Sequence, residues 1–114
     1  MSDCLFCAIV AGDVPSDRVV ETDDTYAFRD INPAAPVHVL VIPKRHVPTV
    51  EHLEPGDADV LAACFATIQE VARSEGIADD GYRVVANVGR HGGMTIPHLH
   101  FHVIGGRPLR WPPE

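Results

Sequence analysis

Between residues 57 and 75 the hydrophobic positions recur at the spacing of one helix face. Six apolar residues carry this pattern: Leu61, Cys64, Phe65, Ile68, Val71 and Ala72. A stripe of this kind, with polar residues between its members, is typical of a helix that packs on a core. Gly76 follows and supplies a helix stop. The pattern therefore predicts one long helix over Asp57–Glu75, in which Cys64 serves simple packing.

Shorter apolar runs predict strands. Five are expected: Val19–Thr22, Tyr26–Asp30, Val37–Ile42, Tyr82–Val88 and His98–Ile104. The third is apolar on both faces apart from His38 and is closed by Pro43, which predicts an interior strand. Cys4–Ala11, ahead of Gly12, predicts a short N-terminal helix. Because most connections are too short for crossover helices, we expect an α+β fold with a mainly antiparallel sheet.

Three histidines alternate with apolar residues in the last predicted strand. Side chains two apart on a strand point to the same side, so His98, His100 and His102 are expected to share one face. The simplest alternative is that these are surface histidines, or structural histidines whose ring nitrogens are hydrogen-bonded within the fold. Three functional uses of the row stay open: a catalytic zinc site, a structural metal site, or nucleophile and acid for phosphoryl transfer.

The loop before this strand is rich in glycine, with the sequence Gly89-Arg90-His91-Gly92-Gly93. Exposed backbone N–H groups in such a loop can bind an anion, which makes phosphate a natural ligand. A flexible connection between two strands explains the same glycines about as well.

Composition and charge restrict the function further. Nearly half of the 114 residues are hydrophobic, enough for one core, so residues 1–114 are expected to form a single domain. The formal net charge of -7 without a basic block argues against nucleic-acid binding, and no apolar run is long enough for a membrane span. Three cysteines are too few for a disulfide framework, so we expect a cytoplasmic protein with reduced thiols.

Taken together, the motifs resemble those of the histidine triad (HIT) family. The segment His98-Leu99-His100-Phe101-His102-Val103-Ile104 is similar to the family signature of three histidines separated by hydrophobic residues. Four other blocks resemble the family in order: Leu5-Phe6 with Ile9-Val10, Phe28 to Pro33, Pro36-Val37-His38, and Val41 to His46. The ending, Gly105-Gly106-Arg107 with Trp111-Pro112-Pro113, resembles the HINT-like branch of purine nucleoside phosphoramidases.

This resemblance implies a fold and an activity. The fold is an α+β domain with a five-stranded, mainly antiparallel sheet, one long helix and a short N-terminal helix. A homodimer joins two such sheets into one. The implied activity is hydrolysis or transfer at the α-phosphorus of a purine nucleotide, such as an adenosine phosphoramidate, through a covalent nucleotidyl-histidine. An AMP-like nucleotide is then the expected substrate or product.

The resemblance also implies roles for individual residues. His100 matches the nucleophile, a neutral imidazole that attacks phosphorus while its other nitrogen is hydrogen-bonded to a backbone carbonyl. His38 matches a position that orients the triad or relays a proton, although a lone histidine there is more often a satisfied core residue. Hydrogen bonds to the phosphate are expected from four residues: His102, Asn87, Gly93 and Thr95.

For the nucleoside, five apolar residues match positions that enclose the base: Leu5, Phe6, Ile9, Phe28 and Ile31. Without the resemblance they are ordinary core residues. Asp30 matches the acid that accepts hydrogen bonds from the ribose hydroxyls, and a turn-capping role before Asn32-Pro33 is its alternative. Met94 departs from the HINT-like branch and many related proteins, which have a glutamine there that touches the phosphate bridge. Methionine cannot donate that hydrogen bond.

Cys4 and Cys7 form a Cys-x-x-Cys pair near the start of the chain. A redox motif of this kind requires a preceding strand in a βαβ unit, so a metal site is the better interpretation. In family members that keep this pair, the two cysteines resemble part of a structural Zn²⁺ site, which is completed at the positions of His46 and His98. A closed site of two thiolates and two imidazoles leaves no open position for substrate water. Two packed thiols without metal are the alternative.

Two other functions stay open at this point. A zinc-dependent hydrolase would use the three triad histidines as metal ligands, but it leaves His46 and both N-terminal cysteines without a role. A nucleotide-binding interaction protein with little catalysis is favoured by Met94.

Overall fold

The computed structural model describes residues 3–113, so Met1, Ser2 and Glu114 of the expected domain lie outside the described residues. Helix α1 spans Leu5–Ala11 and helix α2 spans Ala58–Ser74. The strands are β1 (Arg18–Glu21), β2 (Thr25–Arg29), β3 (Val37–Pro43), β4 (Tyr82–Val85) and β5 (Phe101–Gly105). Neither helix in the described range has the length and apolar character that crossing a bilayer requires.

The five strands form one sheet in the order β1-β2-β3-β5-β4, and every neighbouring pair is antiparallel. β3 lies at the centre, and its residues from His38 to Pro43 are all buried. Apolar side chains on both of its faces suit this position, because a central strand is covered from both sides. The predicted interior strand and the predicted α+β fold are therefore confirmed.

Helix α2 covers one face of the sheet. Its residues Cys64, Ile68 and Val71 pack in one core cluster with side chains from β2, β3 and β5. The helix begins and ends within one residue of its predicted bounds, and Gly76 turns the chain at a φ of 74°. Burial raises the pKa of the Cys64 thiol to about 11, as befits the predicted packing role. Phe65 lies at the edge of the stripe and is 46% exposed.

Helix α1 covers part of the opposite face. The Cys4 thiol accepts a hydrogen bond from the backbone N–H of Cys7, and Gly12 ends the helix at a φ of 84°. Phe6 and Ile9 are three residues apart, so both point to the sheet and are buried. They pack against four sheet residues: Tyr26, Phe28, Leu40 and Ile42.

The prediction that the last strand begins at His98 is wrong, because β5 begins at Phe101. Toward the N-terminal end of β5, Phe101 is the last residue that pairs with β3. In the same register Ile42 would lie opposite His100 and Pro43 opposite Leu99, and Pro43 has no N–H to donate to the ladder. The N–H of Leu99 donates instead to the carbonyl oxygen of Val47, at 2.6 Å. The first two histidines therefore lie in an irregular segment.

The prediction that the fourth strand continues to Val88 is also wrong. β4 ends at Val85, which lies opposite His102. Since β5 has only Phe101 beyond that pair, a strand extended to Val88 would lack a partner. Asn87 consequently lies in the loop after β4.

Candidate active site

The triad histidines share one side of the sheet, although only His102 belongs to β5. The rings of His98 and His100 meet the ring of Phe6 on α1, with centroids 5.9 and 5.1 Å away. His100 also contacts His102, at a centroid distance of 5.2 Å. The intervening side chains enter the core under α2: Leu99, Phe101 and Val103. The predicted alternation is confirmed, and it persists through the irregular segment.

A backbone hydrogen bond sets the tautomer of His100. Its Nδ1 lies 2.7 Å from the carbonyl oxygen of His98. A carbonyl oxygen can only accept, so Nδ1 carries the proton, and the Nε2 of the neutral ring has a lone pair. The side chain is 7% exposed and rests against the edge of Phe6. This is the form of histidine that can attack phosphorus.

A chain of hydrogen bonds sets the tautomer of His102. The backbone N–H of Ala34 donates to Nδ1 of His38 at 2.9 Å, which places the proton of a neutral His38 on Nε2. That Nε2 lies 2.9 Å from Nδ1 of His102 and donates to it. His102 then holds its own proton on Nε2, where it can donate a hydrogen bond.

Burial keeps His102 uncharged near neutral pH. Loss of water contact, and then the positive charges that His100 and His38 can carry, lower its pKa to about 4, while Asp30 acts in the opposite direction. One oxygen of Asp30, Oδ2, lies 3.4 Å from Nε2 of His38. The other, Oδ1, accepts the backbone N–H of Asn32 at 2.8 Å. Asp30 therefore caps its turn, as the alternative interpretation expected, and also faces the histidines.

Three of the five apolar residues expected around the base come together. The rings of Phe6 and Phe28 meet edge to face with centroids 5.5 Å apart, and Ile9 belongs to the same buried cluster. Leu5 and Ile31 do not join it, since they are 45% and 92% exposed. Because Phe6 contacts both Phe28 and His100, an apolar wall adjoins the reactive histidine.

The glycine loop closes against Asn87, whose Nδ2 donates to the carbonyl oxygen of Gly92 at 2.6 Å. A Cβ at Gly92 would lie 2.3 Å from the carbonyl oxygen of Val88, so only glycine fits there. The backbone N–H of Gly93 is bonded inside the loop at 3.1 Å, which occupies the group expected to bind phosphate. Thr95 is exposed.

Cys4, Cys7, His46 and His98 converge at the start of α1. The Sγ of Cys4 lies 3.3 Å from Nδ1 of His98, the Sγ of Cys7 lies 3.4 Å from Nδ1 of His46, and the two Nδ1 atoms are 3.1 Å apart. Nε2 of His98 donates to the carbonyl oxygen of Pro43 at 2.9 Å, so its Nδ1 presents a lone pair to the cluster. Two sulfur and two nitrogen donors suit a tetrahedral zinc ion. These residues therefore fit the implied Zn²⁺.

Asp30, His38 and His102 form a second group whose ligand atoms lie within 4.8 Å of one another. Their hydrogen bonds do not suit a metal, because a neutral His38 keeps its proton on Nε2, the atom that faces the group. Among residues 3–113, neither convergent group contains His100. The three triad histidines thus do not converge on one point, which counts against the zinc-dependent hydrolase.

Two backbone groups that organise the site carry no signal in the sequence. The N–H of Ala34 fixes His38, and the carbonyl of Pro43 fixes His98. Neither side chain has chemistry that a motif would reveal, and the sequence shows Pro43 only as the end of a strand.

Comparisons with known proteins agree with this geometry. Residues 11–109 match the family model of the HIT domain. The chain is 42% identical over 107 residues to a purine nucleoside phosphoramidase of Escherichia coli K12, covering 94% of this chain and 90% of that protein. It is similar to a HIT family hydrolase from Legionella pneumophila Philadelphia 1, with a TM-score of 0.96, 42% identity, and coverage of 98% of this chain and 100% of that one. A histidine triad nucleotide-binding protein from Candida albicans gives a TM-score of 0.83 and 31% identity, with coverage of 98% of this chain and 85% of that one.

Proposed function

Because the chain belongs to the HIT domain family and is related to its hydrolases, we propose that it hydrolyses purine nucleotides at the α-phosphorus through a covalent intermediate on His100. The observation that carries the proposal is the hydrogen bond from Nδ1 of His100 to the carbonyl of His98, which leaves a lone pair on Nε2. An adenosine phosphoramidate is the proposed substrate, and AMP is the product.

In the proposed reaction, Nε2 of His100 attacks the α-phosphorus and the phosphorus–nitrogen bond to the leaving amine breaks. The amine departs with a proton taken from water, and the nucleotidyl group remains on His100. A second water molecule then attacks phosphorus and gives a proton to the hydroxide that the first step left, the bond to His100 breaks, and AMP is released. His102 is uncharged and presents Nε2–H, so it stabilises the charge on the non-bridging oxygens as a hydrogen-bond donor. His38 keeps His102 in this tautomer.

The nucleoside occupies the side of the triad formed by β2, β3 and α1. Phe6 and Phe28 form the wall against which the purine stacks, and Oδ2 of Asp30 accepts a hydrogen bond from the ribose. The exposed side chains of Leu5 and Ile31 close over the base. The phosphate then lies between His100 and the loop that Asn87 holds, where Thr95 supplies a hydroxyl.

A structural zinc ion at Cys4, Cys7, His46 and His98 is part of the proposal. When bound, zinc cross-links the start of α1 to the catalytic segment. The two cysteines flank Phe6, which contacts His100, so the position of α1 determines the position of the apolar wall. A cytoplasmic location keeps thiols reduced and suits a site that needs both thiolates.

We further propose that residues 1–114 form one HIT domain and that two copies pair along β4 into a continuous sheet. β4 is an edge strand, and Val84 on it is 37% exposed. An unpaired edge with an apolar side chain favours pairing with a second chain. Sedimentation equilibrium at micromolar concentration tests this, and a monomer would contradict it.

The substitution His100→Asn tests the proposed function. It removes the attacking nitrogen, so turnover of an adenosine phosphoramidate should fall to background while AMP binding, measured by calorimetry, survives. His52→Asn is the matched control, because His52 is exposed and its ring bonds only Thr49 among the described residues. Full turnover by the His100 variant would refute the mechanism. AMP binding by the wild type without any turnover would favour the interaction protein.

A further inference from the structure

Positive charge without an acidic partner among residues 3–113 is concentrated on one part of this protein. The chain has nine lysines and arginines. Five of them form ion pairs: Arg18, Arg29, Lys44, Arg45 and Arg73. The other four have no carboxylate partner among residues 3–113: Arg83, Arg90, Arg107 and Arg110.

Three of these four arginines line a single cleft of about 630 Å³ together with His102 and Asn87. The three are Arg83, Arg107 and Arg110, and we call this space the arginine cleft. The fourth, Arg90, belongs to the glycine loop that Asn87 holds. In a chain with a net charge of -7, the cations that lack a carboxylate partner in the described part of the chain therefore lie beside the proposed phosphate site.

Sheet register and hydrogen bonds hold the arginine cleft in place. Arg83 lies opposite Ile104 in the β4–β5 pair and Val85 lies opposite His102, so Arg83 is on the same face as His102. Arg83 donates to the carbonyl of Arg110 at 2.7 Å. Arg107 donates to the carbonyls of Ala34 and Pro108 at 3.0 and 3.1 Å. A guanidinium has five N–H donors, so most of them stay available to a ligand.

The order of the strands places this cleft on the far side of the triad from the base. The apolar wall of Phe6 and Phe28 lies over β2 and β3, His102 lies on β5, and Arg83 lies on β4. In the nucleotide position proposed above, with the base on the wall and the phosphorus at the triad, a leaving amine on the side of phosphorus away from the nucleoside lies toward β4.

We propose that the arginine cleft binds an anionic group, a carboxylate or a phosphate, carried by the leaving amine of the substrate. This inference rests on the proposed function and deepens it by naming the class of leaving group. Arginine guanidinium matches both oxyanions with paired hydrogen bonds, and clustered cations without a carboxylate attract an anion. Met94 offers no hydrogen bond to a leaving group, so the cleft supplies the polar contacts.

The test uses four adenosine 5′-phosphoramidates whose leaving amines are similar in size and differ in charge. The amines are β-alanine, phosphoethanolamine, neutral ethanolamine and cationic ethylenediamine. We expect kcat/KM for one or both anionic amines to exceed that for ethanolamine by about tenfold, and the excess to shrink as salt is added. A gain with β-alanine alone identifies a carboxylate, and a gain with phosphoethanolamine alone identifies a phosphate. Equal values, or preference for ethylenediamine, would overturn the proposal.

Arg110→Gln links any preference to the cleft. Among the described residues the Arg110 side chain makes no hydrogen bond, so the substitution removes charge without removing an internal hydrogen bond. The ratio of kcat/KM for anionic to neutral amines should fall toward one in this variant. Arg73→Gln is the matched control, because Arg73 is an exposed α2 residue outside the cleft. A ratio unaffected by Arg110→Gln, or lowered equally by Arg73→Gln, would refute the assignment.

Equilibrium binding separates this inference from the proposed function. The same four conjugates are titrated by calorimetry into the His100→Asn variant, which should bind them without hydrolysis, and turnover is measured with the wild-type protein. Turnover without a preference for anionic conjugates in rate or affinity overturns the proposed role of the arginine cleft and leaves the proposed function standing. Tighter binding of an anionic conjugate without turnover supports the cleft and overturns the proposed function. Absence of both turnover and preference overturns both.

Discussion

The low pKa of His102 makes the stability of this protein depend on pH in a direction that can be calculated. In the folded protein the pKa is about 4, whereas the ordinary value is 6.5. Between these two values the unfolded chain binds a proton at this residue and the folded chain does not. The free energy of unfolding is therefore highest above pH 6.5 and falls as the pH falls toward 4. At ~1.4 kcal/mol per pKa unit the full loss is about 3 kcal/mol, and about 2 kcal/mol of it falls between pH 7 and pH 5.

His102→Asn isolates this contribution from other groups that titrate in the same range. Asparagine does not ionise, and its Oδ1 can accept the hydrogen bond that His38 donates to Nδ1 of His102. Urea unfolding followed by circular dichroism at pH 7 and pH 5 gives the loss of stability in each protein. The wild type should lose about 2 kcal/mol more than the variant. Equal losses in the two proteins would refute the reasoning.

Three further predictions follow from individual contacts. Cys7→Ser should release about one zinc ion per chain and lower the thermal midpoint more than kcat, by elemental analysis and calorimetry; a metal-free wild type with an unchanged midpoint would contradict the site. Gly92→Ala forces a Cβ to 2.3 Å from the Val88 carbonyl oxygen, so the loop must shift. AMP affinity by calorimetry should then fall about tenfold, roughly 1.4 kcal/mol, and unchanged affinity would exclude a role for the loop. Phe6→Leu removes the ring edge against His100, so KM should rise more than kcat falls in steady-state assays. An unchanged KM would contradict the proposed contact between α1 and the base.

The parts of the fold that the sequence predicted are those where burial follows a regular period. The stripe that ends near Val71 and Ala72 predicted α2 within one residue at each end, because one helix face is buried along its length. β3 was predictable since both of its faces are covered. The errors at β4 and β5 have a non-local cause, because the ladder ends where Pro43 lacks an N–H and Leu99 finds a different partner.

The features of the candidate site also divide into those that the sequence could predict and those that it could not. Residue types and spacing were enough to single out the triad, and the family resemblance added His46 and His98 to Cys4 and Cys7. The resemblance implied a backbone carbonyl at His100, and the structure identifies it as the carbonyl of His98. The tautomer of His38 could not be predicted, because the group that sets it is a backbone N–H. It could not be predicted either that the cleft arginines have no carboxylate partner within residues 3–113, since ion pairs depend on contacts between distant parts of the chain.

The configuration at phosphorus during turnover tests the central claim, attack by His100, most directly. Each in-line displacement inverts phosphorus, so two displacements through a nucleotidyl-histidine retain the configuration, whereas a single attack by water inverts it. A phosphorothioate analogue of adenosine phosphoramidate with one defined configuration, hydrolysed in water enriched in oxygen-18, reports which course is followed. The mechanism proposed for His100 predicts retention. Inversion would contradict it.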